Sequence, residues 1–589
     1  MSEAPTWRVA NEASYRAFDA AVRQDMPALT ERCEALHQPD PDTLRAQFEQ
    51  ARRCGDGKAI EVMAPVLERH SELDTEGRIS FAQALMVQRR FAEAAAVFDH
   101  PALRDLKSVR VVNGRARALA GAGRFEAAVE AADRALVVHP DHQPTAMLRD
   151  KLLALIPLHA RRAELDDWSE LEPLLQAYLD LGARDDAAAL MRRLMSDPER
   201  VRMSGEERLP LAEMAMQVCA PEEITGYLDR IPADPSQRRD ALILACDVLS
   251  GRPALQSRPA PPAMAEKGLR VWRALACEAA GDFPNAIRQL SDLAEEDKRD
   301  PEIRGALARV VGRQVLAQVR PEFAPGGSGR IVNLVVFNDE FALLRMHLEE
   351  MAPFVDRFVI VEAGQTFMGA DKPLHFQENQ DRFADFADRI VHLAIPKFPE
   401  ELTTAWARDF YQRDMAIAAA QGLCSQEDYL LVTDTDEVVA RRALDGFAGD
   451  YACLHLLVSR FFLNYRMAPG SPKGMRPASA IFKARLLMEQ GISYARFFLA
   501  RRWSNAHVIG DAGWHFTSVN DADRIALKLS SYAHQEQVKA RFKTPEHFRQ
   551  VLDRIRAGEL EPGWERVDLD DRLPDYVRQN RAALANLIL

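Results

Sequence analysis

Cysteine is scarce: seven in 589 residues, at positions 33, 54, 219, 246, 277, 424 and 453, with no pair spaced as CxxC. That excludes a disulfide-stapled scaffold and leaves no zinc or dithiol motif, so the cysteines read as reduced, mostly buried thiols. No run of about 18 apolar residues occurs, and the N-terminal stretch lacks a basic segment followed by an apolar core. No membrane span or secretory leader is therefore expected, and the expected location is cytoplasmic. An excess of basic charge is missing too. Lys and Arg number 76 against 88 Asp and Glu, a net charge of −12, which disfavours a general phosphate-backbone binder and takes nucleic acid off the list of expected partners. Hydrophobic residues at 47% and charged residues at 28% exclude a mainly disordered chain. At roughly 150 residues per domain, the length allows about four units.

What is present divides the chain in two. Up to about residue 320, Ala, Leu, Arg and Glu dominate and apolar positions recur at three and four, so helices are predicted and strand signals are nearly absent. Arg90-Phe91-Ala92-Glu93-Ala94 is echoed by Arg124-Phe125-Glu126-Ala127-Ala128, 34 residues later, the period of a tetratricopeptide repeat. Gly123, Phe125, Ala128, Ala135 and Pro140 fall where that family places its turn, packing and terminating residues. A further copy starts at Gly281-Asp282-Phe283, with Ala286 following, and Leu181-Gly182-Ala183 reads as another turn. Small Ala lets antiparallel helices approach, Phe fills the gap and Pro closes the repeat, so each pair buries its face only on its neighbour. An all-α tetratricopeptide-like solenoid is predicted for 77–320, after a helical region at 1–76, with a Pro-rich interruption at Arg252 to Pro262. Most of its aromatic and alanine positions are internal core.

Pro and Gly at 321–330 read as a linker. Beyond it, Ile331 to Phe337, Arg357 to Val361, Ile390 to Ile395 and Tyr429 to Thr433 are apolar, β-branched runs, separated by helical spacing at Phe341 to Met351 and at about 403–421. This alternation predicts a Rossmann-like α/β domain over 331–560 with a largely parallel sheet, followed by a helical tail at 561–589. Ligands gather at the carboxyl ends of such strands. Polar residues cluster there: Asn338-Asp339-Glu340, Glu362, and Asp434-Thr435-Asp436-Glu437.

The last cluster carries most of the chemistry. Three carboxylates within four residues repel one another unless a cation or protons relieve them. In an extended segment Asp434 and Asp436 point the same way and can face one divalent ion, Mg²⁺ or Mn²⁺, directly or through water. Such an ion neutralises a pyrophosphate and assists departure of a nucleoside diphosphate. A solvated turn or helix cap is the plainer alternative for any lone DxD.

In order along the chain, Phe337-Asn338-Asp339-Glu340, Val361-Glu362-Ala363 with Thr366-Phe367, Lys372-Pro373-Leu374, Trp406-Ala407-Arg408 with Tyr411-Gln412-Arg413, Asp434-Thr435-Asp436-Glu437, Gly513-Trp514-His515-Phe516, and Lys528 followed by Ala533-His534-Gln535-Glu536 form one set. It resembles glycosyltransferase family 17, which includes enzymes that add bisecting GlcNAc. The resemblance covers about 331 to 540. It implies a GT-A type fold, inverting transfer, a UDP-GlcNAc-like donor, a glycan or glycoconjugate acceptor and a divalent cation, Mn²⁺ or Mg²⁺. Asn464-Tyr465-Arg466 stands where the family has an Asn-Trp pair, and the helical repeats replace the Golgi anchor of the animal enzymes, so the particular acceptor is not carried over.

Asp434 and Asp436 are the expected metal ligands, with His515 as a third candidate or a structural histidine. Asn338, Glu340 and Glu362 are candidates for the nucleoside, with helix capping as the alternative. Arg408 and Arg413, five apart on one helix, are candidates for the diphosphate, of which only one need reach it. Lys528 and His534 are further candidate donors of positive charge, and Trp514 stacks on a sugar face or packs in the core. The single base that inverting transfer requires is sought among Glu437, Asp511 and Glu536. Glu437 adjoins the metal and is the poorer base, and Glu536 is preferred. The repeats are expected to dock an acceptor, a protein partner or a second copy. The competing readings are an interaction scaffold with a silent α/β domain and a metal-dependent nucleotidyltransferase or phosphoesterase.

Overall fold

The computed structural model describes residues 44–45, 48–49, 51–52, 57–70, 73–198, 201–232, 238–250, 267–298, 300–320, 322, 329–445, 447, 449–468, 475–487, 491–496, 508–531, 543–570 and 572–589. They fall into two compact units, Met1–Asp282 and Phe283–Leu589.

In the first unit helix follows helix from Gly57–Arg69 to Lys267–Ala279, and no strand occurs among the described residues. The positions that set the repeat do the packing. Phe125 is fully buried, edge-on to His159 at 4.9 Å and stacked on Tyr178 at 5.8 Å. Ala128, Ala132 and Ala135 line the same helix and are buried. Gly123 turns the chain between Val109–Gly121 and Phe125–Val138 at φ +72°. Gly182 does so between Trp168–Leu181 and Arg184–Ser196 at φ +84°; both angles suit glycine. The unit is a repeat-like helical array. The Pro-rich stretch expected to interrupt it lies outside the described residues.

The second unit holds an eleven-stranded mixed sheet. Its strands are β1 Ile331–Val336, β2 Arg357–Ala363, β3 Ile390–Ile395, β4 Tyr429–Asp434, β5 Glu437–Val439, β6 Tyr451–Arg460, β7 Tyr465–Met467, β8 Met475–Lys483, β9 Val508–Ile509, β10 Gly513–Thr517 and β11 Trp564–Arg566. The main path runs β11-β7-β6-β8-β4-β1-β2-β3. β1 pairs parallel with β2 and β4, and β2 with β3, because each return passes through a helix. β8 then runs antiparallel between β4 and β6, so the expected parallel sheet makes up only one side. The expected helix at 403–421 breaks at Met415 into Ala405–Asp414 and Ala416–Ala420. The tail is less helical than its pattern suggests: β11 joins the sheet edge, only Asp575–Gln579 is α-helix among its described residues, and Val567, Leu573, Val577, Leu584 and Leu587 fill the core.

One polar residue interrupts the apolar β1. Asn333 is fully buried, donates to the Leu431 carbonyl and the Thr433 hydroxyl at 2.9 Å each, and accepts from His347 Nε2 at 2.8 Å. These bonds tie β1, β4 and the helix Phe341–Met351 together below the acidic strand end. Burial pushes His347 down to about 4, so the ring is neutral, with Nε2 carrying its proton.

Candidate active site

β4 delivers Asp434 to the sheet end, and the next residues are pinned from three sides. The Thr435 hydroxyl donates to the Val336 carbonyl at the end of β1, 2.7 Å away. β5 turns back and pairs antiparallel with β10, setting His515 opposite Glu437. That approach needs Gly513: its φ is +147°, and a Cβ there would lie 2.1 Å from the Val438 carbonyl oxygen. The Phe516 amide donates to the Asp436 carbonyl at 2.7 Å. The tip is thus a rigid ledge, and its side chains are held in place.

The two aspartates expected to share an ion are engaged by different cations. Asp434 accepts from Arg413 Nη1 and takes the Arg496 fork at 2.9 and 3.1 Å. Arg496 also donates to Glu437 at 2.6 Å, and Arg413 to Asp409, one helical turn back, at 3.0 Å. Burial pushes the Asp434 carboxyl up, but Arg413 and Arg496 outweigh it and hold it well below the usual carboxylate range. Asp436 instead accepts from Lys528 Nζ at 2.9 Å, and its other oxygen lies 3.8 Å from His515 Nε2. Lys528 reaches Glu340 as well, at 3.1 Å. Burial lowers the Lys528 ammonium, yet these two carboxylates more than offset that and keep it charged.

Seven of the residues singled out from sequence therefore converge: Glu340, Arg413, Asp434, Asp436, Glu437, His515 and Lys528. Asn338 adjoins them, donating to Asp339 Oδ1 at 3.2 Å. The others lie elsewhere. Glu362 is fully buried, accepts from the Phe376 and Gln377 amides at 2.9 and 2.8 Å and meets His392 at 2.8 Å, so it braces the loop after β2. Arg408 donates to the Phe367 carbonyl at 2.8 Å. Trp514 points away from His515, as strand alternation requires; it packs in the core and donates to the Arg572 carbonyl at 2.8 Å. Asp511 is exposed in the turn before β10, 3.4 Å from Arg442. Glu437 is buried, and its Oε2 accepts from the Asp434 amide, Ser479 and Arg496, which makes it a bracket for the ledge. His534 and Glu536 lie outside the described residues.

Arg496 was not singled out from sequence, although a signal exists. It stands alone in the apolar stretch Ile492-Ser493-Tyr494-Ala495-Arg496-Phe497, and a charge buried in such a run needs a carboxylate partner. Its segment is set by Asp414, which accepts from the Ile492 and Ser493 amides at 2.6 and 3.3 Å. Burial pushes the Asp414 carboxyl up to about 7, with the amides and Arg413 opposing. Between pH ~4 and ~7 the folded protein thus keeps a proton that the unfolded chain releases, so stability falls as pH rises through that window and levels off above it. Asp414→Asn should gain stability relative to wild type across pH 4 to 7 and hold a constant difference beyond. A difference flat with pH in urea unfolding curves would sink that assignment.

Two of the expected ligands are placed near each other. Among the described residues no three His, Cys, Asp or Glu side chains form a ready cage. Asp436 and His515 nevertheless face each other, and His515 Nδ1 is buried without a hydrogen-bond partner among the described residues. A carboxylate and an imidazole, completed by substrate phosphate and water, suit Mn²⁺ better than Mg²⁺, which takes oxygen ligands. Asp434 is instead held by two guanidinium groups.

Comparison with known proteins places this domain, with its acidic ledge at a strand end, among the glycosyltransferases. Residues 322–559 match the model of glycosyltransferase family 17, and the chain carries a domain of that family. It is similar to proteins of Rattus norvegicus and Homo sapiens named beta-1,4-mannosyl-glycoprotein 4-beta-N-acetylglucosaminyltransferase. Each is 28% identical over 231 residues, covering 34% of this chain and 42% or 43% of the relative. The Mus musculus protein of the same name is 24% identical over 231 residues. The chain thus spans less than half the length of the curated relatives it matches. No helix among the described residues is long and apolar enough to cross a membrane.

Proposed function

We propose that this protein transfers a sugar, GlcNAc by its likeness to the named relatives, from a UDP-sugar to a glycan or glycoconjugate acceptor through a GT-A-type domain, with inversion and with a divalent cation. The observation that carries this reading is the pairing of Asp436 with His515 on the ledge after β4, 3.8 Å apart. Charge supports it. Among the described residues, Asp409, Asp434, Asp436, Glu437 and Glu340 are met by Arg413, Arg496 and Lys528. Carboxylates therefore concentrate at the ledge, a setting that attracts a cation.

Asp436 and His515 would hold that ion, and when bound it supplies Lewis-acid neutralisation of the departing diphosphate. The protein's own groups do the rest. Arg413 and Arg496 keep Asp434 ionised, and with Arg496 also donating to Glu437 the ledge is held fixed during reaction. Lys528 is a cation on a flexible stem, able to exchange Glu340 for a phosphate oxygen. The base stays open: Glu437 is a bracket for the ledge, Asp511 is bound to Arg442, and Glu536 remains the candidate. The helical array serves in this proposal to dock an acceptor or partner, or to join copies.

The test is a thermal-shift panel of nucleotide sugars with and without Mn²⁺. UDP-GlcNAc with Mn²⁺ at 100 times its Kd should stabilise the fold by about 2.7 kcal/mol and release UDP on turnover. Indifference to every nucleotide sugar would sink the reading. Transferred nucleotide or free phosphate in place of UDP would point instead to nucleotidyl or phosphoester chemistry.

A further inference from the structure

The family match begins at residue 322, yet the compact unit that contains the sheet begins at Phe283. Between them lies a helix pair, Phe283–Glu296 and Pro301–Val319, whose first helix follows the repeat signature Gly281-Asp282-Phe283. The second helix is not the outer helix of an array. Eleven of its positions from Ile303 to Val315 are buried, including Arg309 and Gln314, the pattern of a helix enclosed on most sides.

What encloses it carries the acidic ledge. The Ser291 and Thr404 hydroxyls meet at 3.4 Å, and Thr404 caps the helix Ala405–Asp414 by accepting from the Ala407 amide. Gln314 donates to Glu401 just before that cap, at 2.5 Å. Arg304 lies 5.0 Å over the Trp406 ring. The capped helix presents Asp409, Arg413 and Asp414. On its far side Gly491 rests directly on Pro301–Val319: a Cβ at 491 would lie 2.6 Å from the Gly312 Cα and 2.4 Å from Asp414 Oδ1. Arg309 sits 5.9 Å from the Tyr494 ring centroid. Two residues later Arg496 grips Asp434 and Glu437. A continuous set of packed groups thus runs from Gly312 and Arg309, through the segment 491–496, to the ledge.

We infer that the helix pair 283–319 is a working part of the transferase unit: Gly312 and Arg309 are positioning residues that act through Gly491–Arg496 on Asp434 and Glu437. This rests on the proposal that the 434–437 ledge is the reacting site. Side chains on a ledge lose rate steeply when displaced by a fraction of an ångström, so disturbance at Gly312 should reach turnover without touching substrate.

Full-length Gly312→Val, Arg309→Met and Arg309→Lys decide it by two readouts. Hydrogen exchange of the segments 429–437 and 491–496 should quicken at least tenfold in Gly312→Val and Arg309→Met, with β2 and β3 unchanged. UDP release should lose at least tenfold in kcat with donor KM within about threefold, and Arg309→Lys should recover most of it. Unchanged exchange at 429–437 in folded variants overturns the inference, as does quickened exchange with kcat intact. Should Gly312→Val fail to fold, Arg309→Met decides alone. Should wild type turn over no donor, the proposed function fails, while exchange still shows whether the helix pair holds the ledge.

Discussion

Asp436→Asn is expected to lower sugar transfer by about a hundred- to a thousand-fold, the range for losing one electrostatic stabiliser of a charged transition state, while the protein stays folded. The substitution keeps shape and removes one charge. Asp436 is 6% exposed, its backbone is fixed by the Phe516 amide, and an amide oxygen still accepts from Lys528. What disappears is the carboxylate facing His515. UDP release across a Mn²⁺ titration checks this. The variant should need more Mn²⁺ and reach a lower plateau, because only His515 remains of the protein's pair. Turnover within tenfold of wild type at every Mn²⁺ concentration would remove the proposed cation site.

Asp434→Asn makes the contrast that separates the two aspartates. There the lost charge is matched to Arg413 and Arg496, so the deficit falls on folding and on the geometry of the ledge, and the Mn²⁺ concentration needed for half-maximal rate should be nearly unchanged. A simple DxD reading assigns both residues to the metal and predicts the same titration shift for both.

How much of this was legible in the sequence depends on whether the signal was local. The four parallel strands showed as apolar β-branched runs, and β4 with its acidic end stands within a residue of where it was placed. Helix turns at Gly123 and Gly182 showed because only glycine suits their φ. The other side did not: β5, β7, β9 and β11 are two or three residues long, too short for any period to register, and the longer β6 and β8 carry no helix-strand alternation to mark them. Side-chain direction was the other gap. Asp434 and Asp436 share a face in an ideal strand, but β4 ends at Asp434 and the chain turns, so alternation no longer applies. Glu362 read as a nucleoside ligand and Glu437 as a candidate base, yet long-range partners at Phe376, Gln377, His392, Ser479 and Arg496 engage them. Spacing along a chain carries no information about those partners.

Arg496→Leu should destabilise the second unit by about 3–5 kcal/mol, the usual cost of leaving a buried charge without its partner. At roughly 2–4 °C per kcal/mol for a unit this large, its transition should drop by about 10 °C. The physical origin is the remaining charge, since Asp434 keeps only Arg413 and Glu437 loses its one cationic contact among the described residues. The loss should therefore depend on pH in a fixed direction. In wild type, Arg413 and Arg496 hold the Asp434 carboxyl below its unfolded value, and that stabilisation is present above the unfolded value and fades as pH falls through the folded one. In Arg496→Leu the carboxylates accept protons more readily, so the gap between variant and wild type should be widest near pH 8 and narrow toward pH 4. Adding Asp434→Asn to Arg496→Leu should restore part of the stability at pH 8, since it removes the stranded charge and leaves shape intact. Equal deficits at both pH values, with no recovery in the double variant, would mean that Arg496 acts by filling space, and the electrostatic account of the ledge would fall.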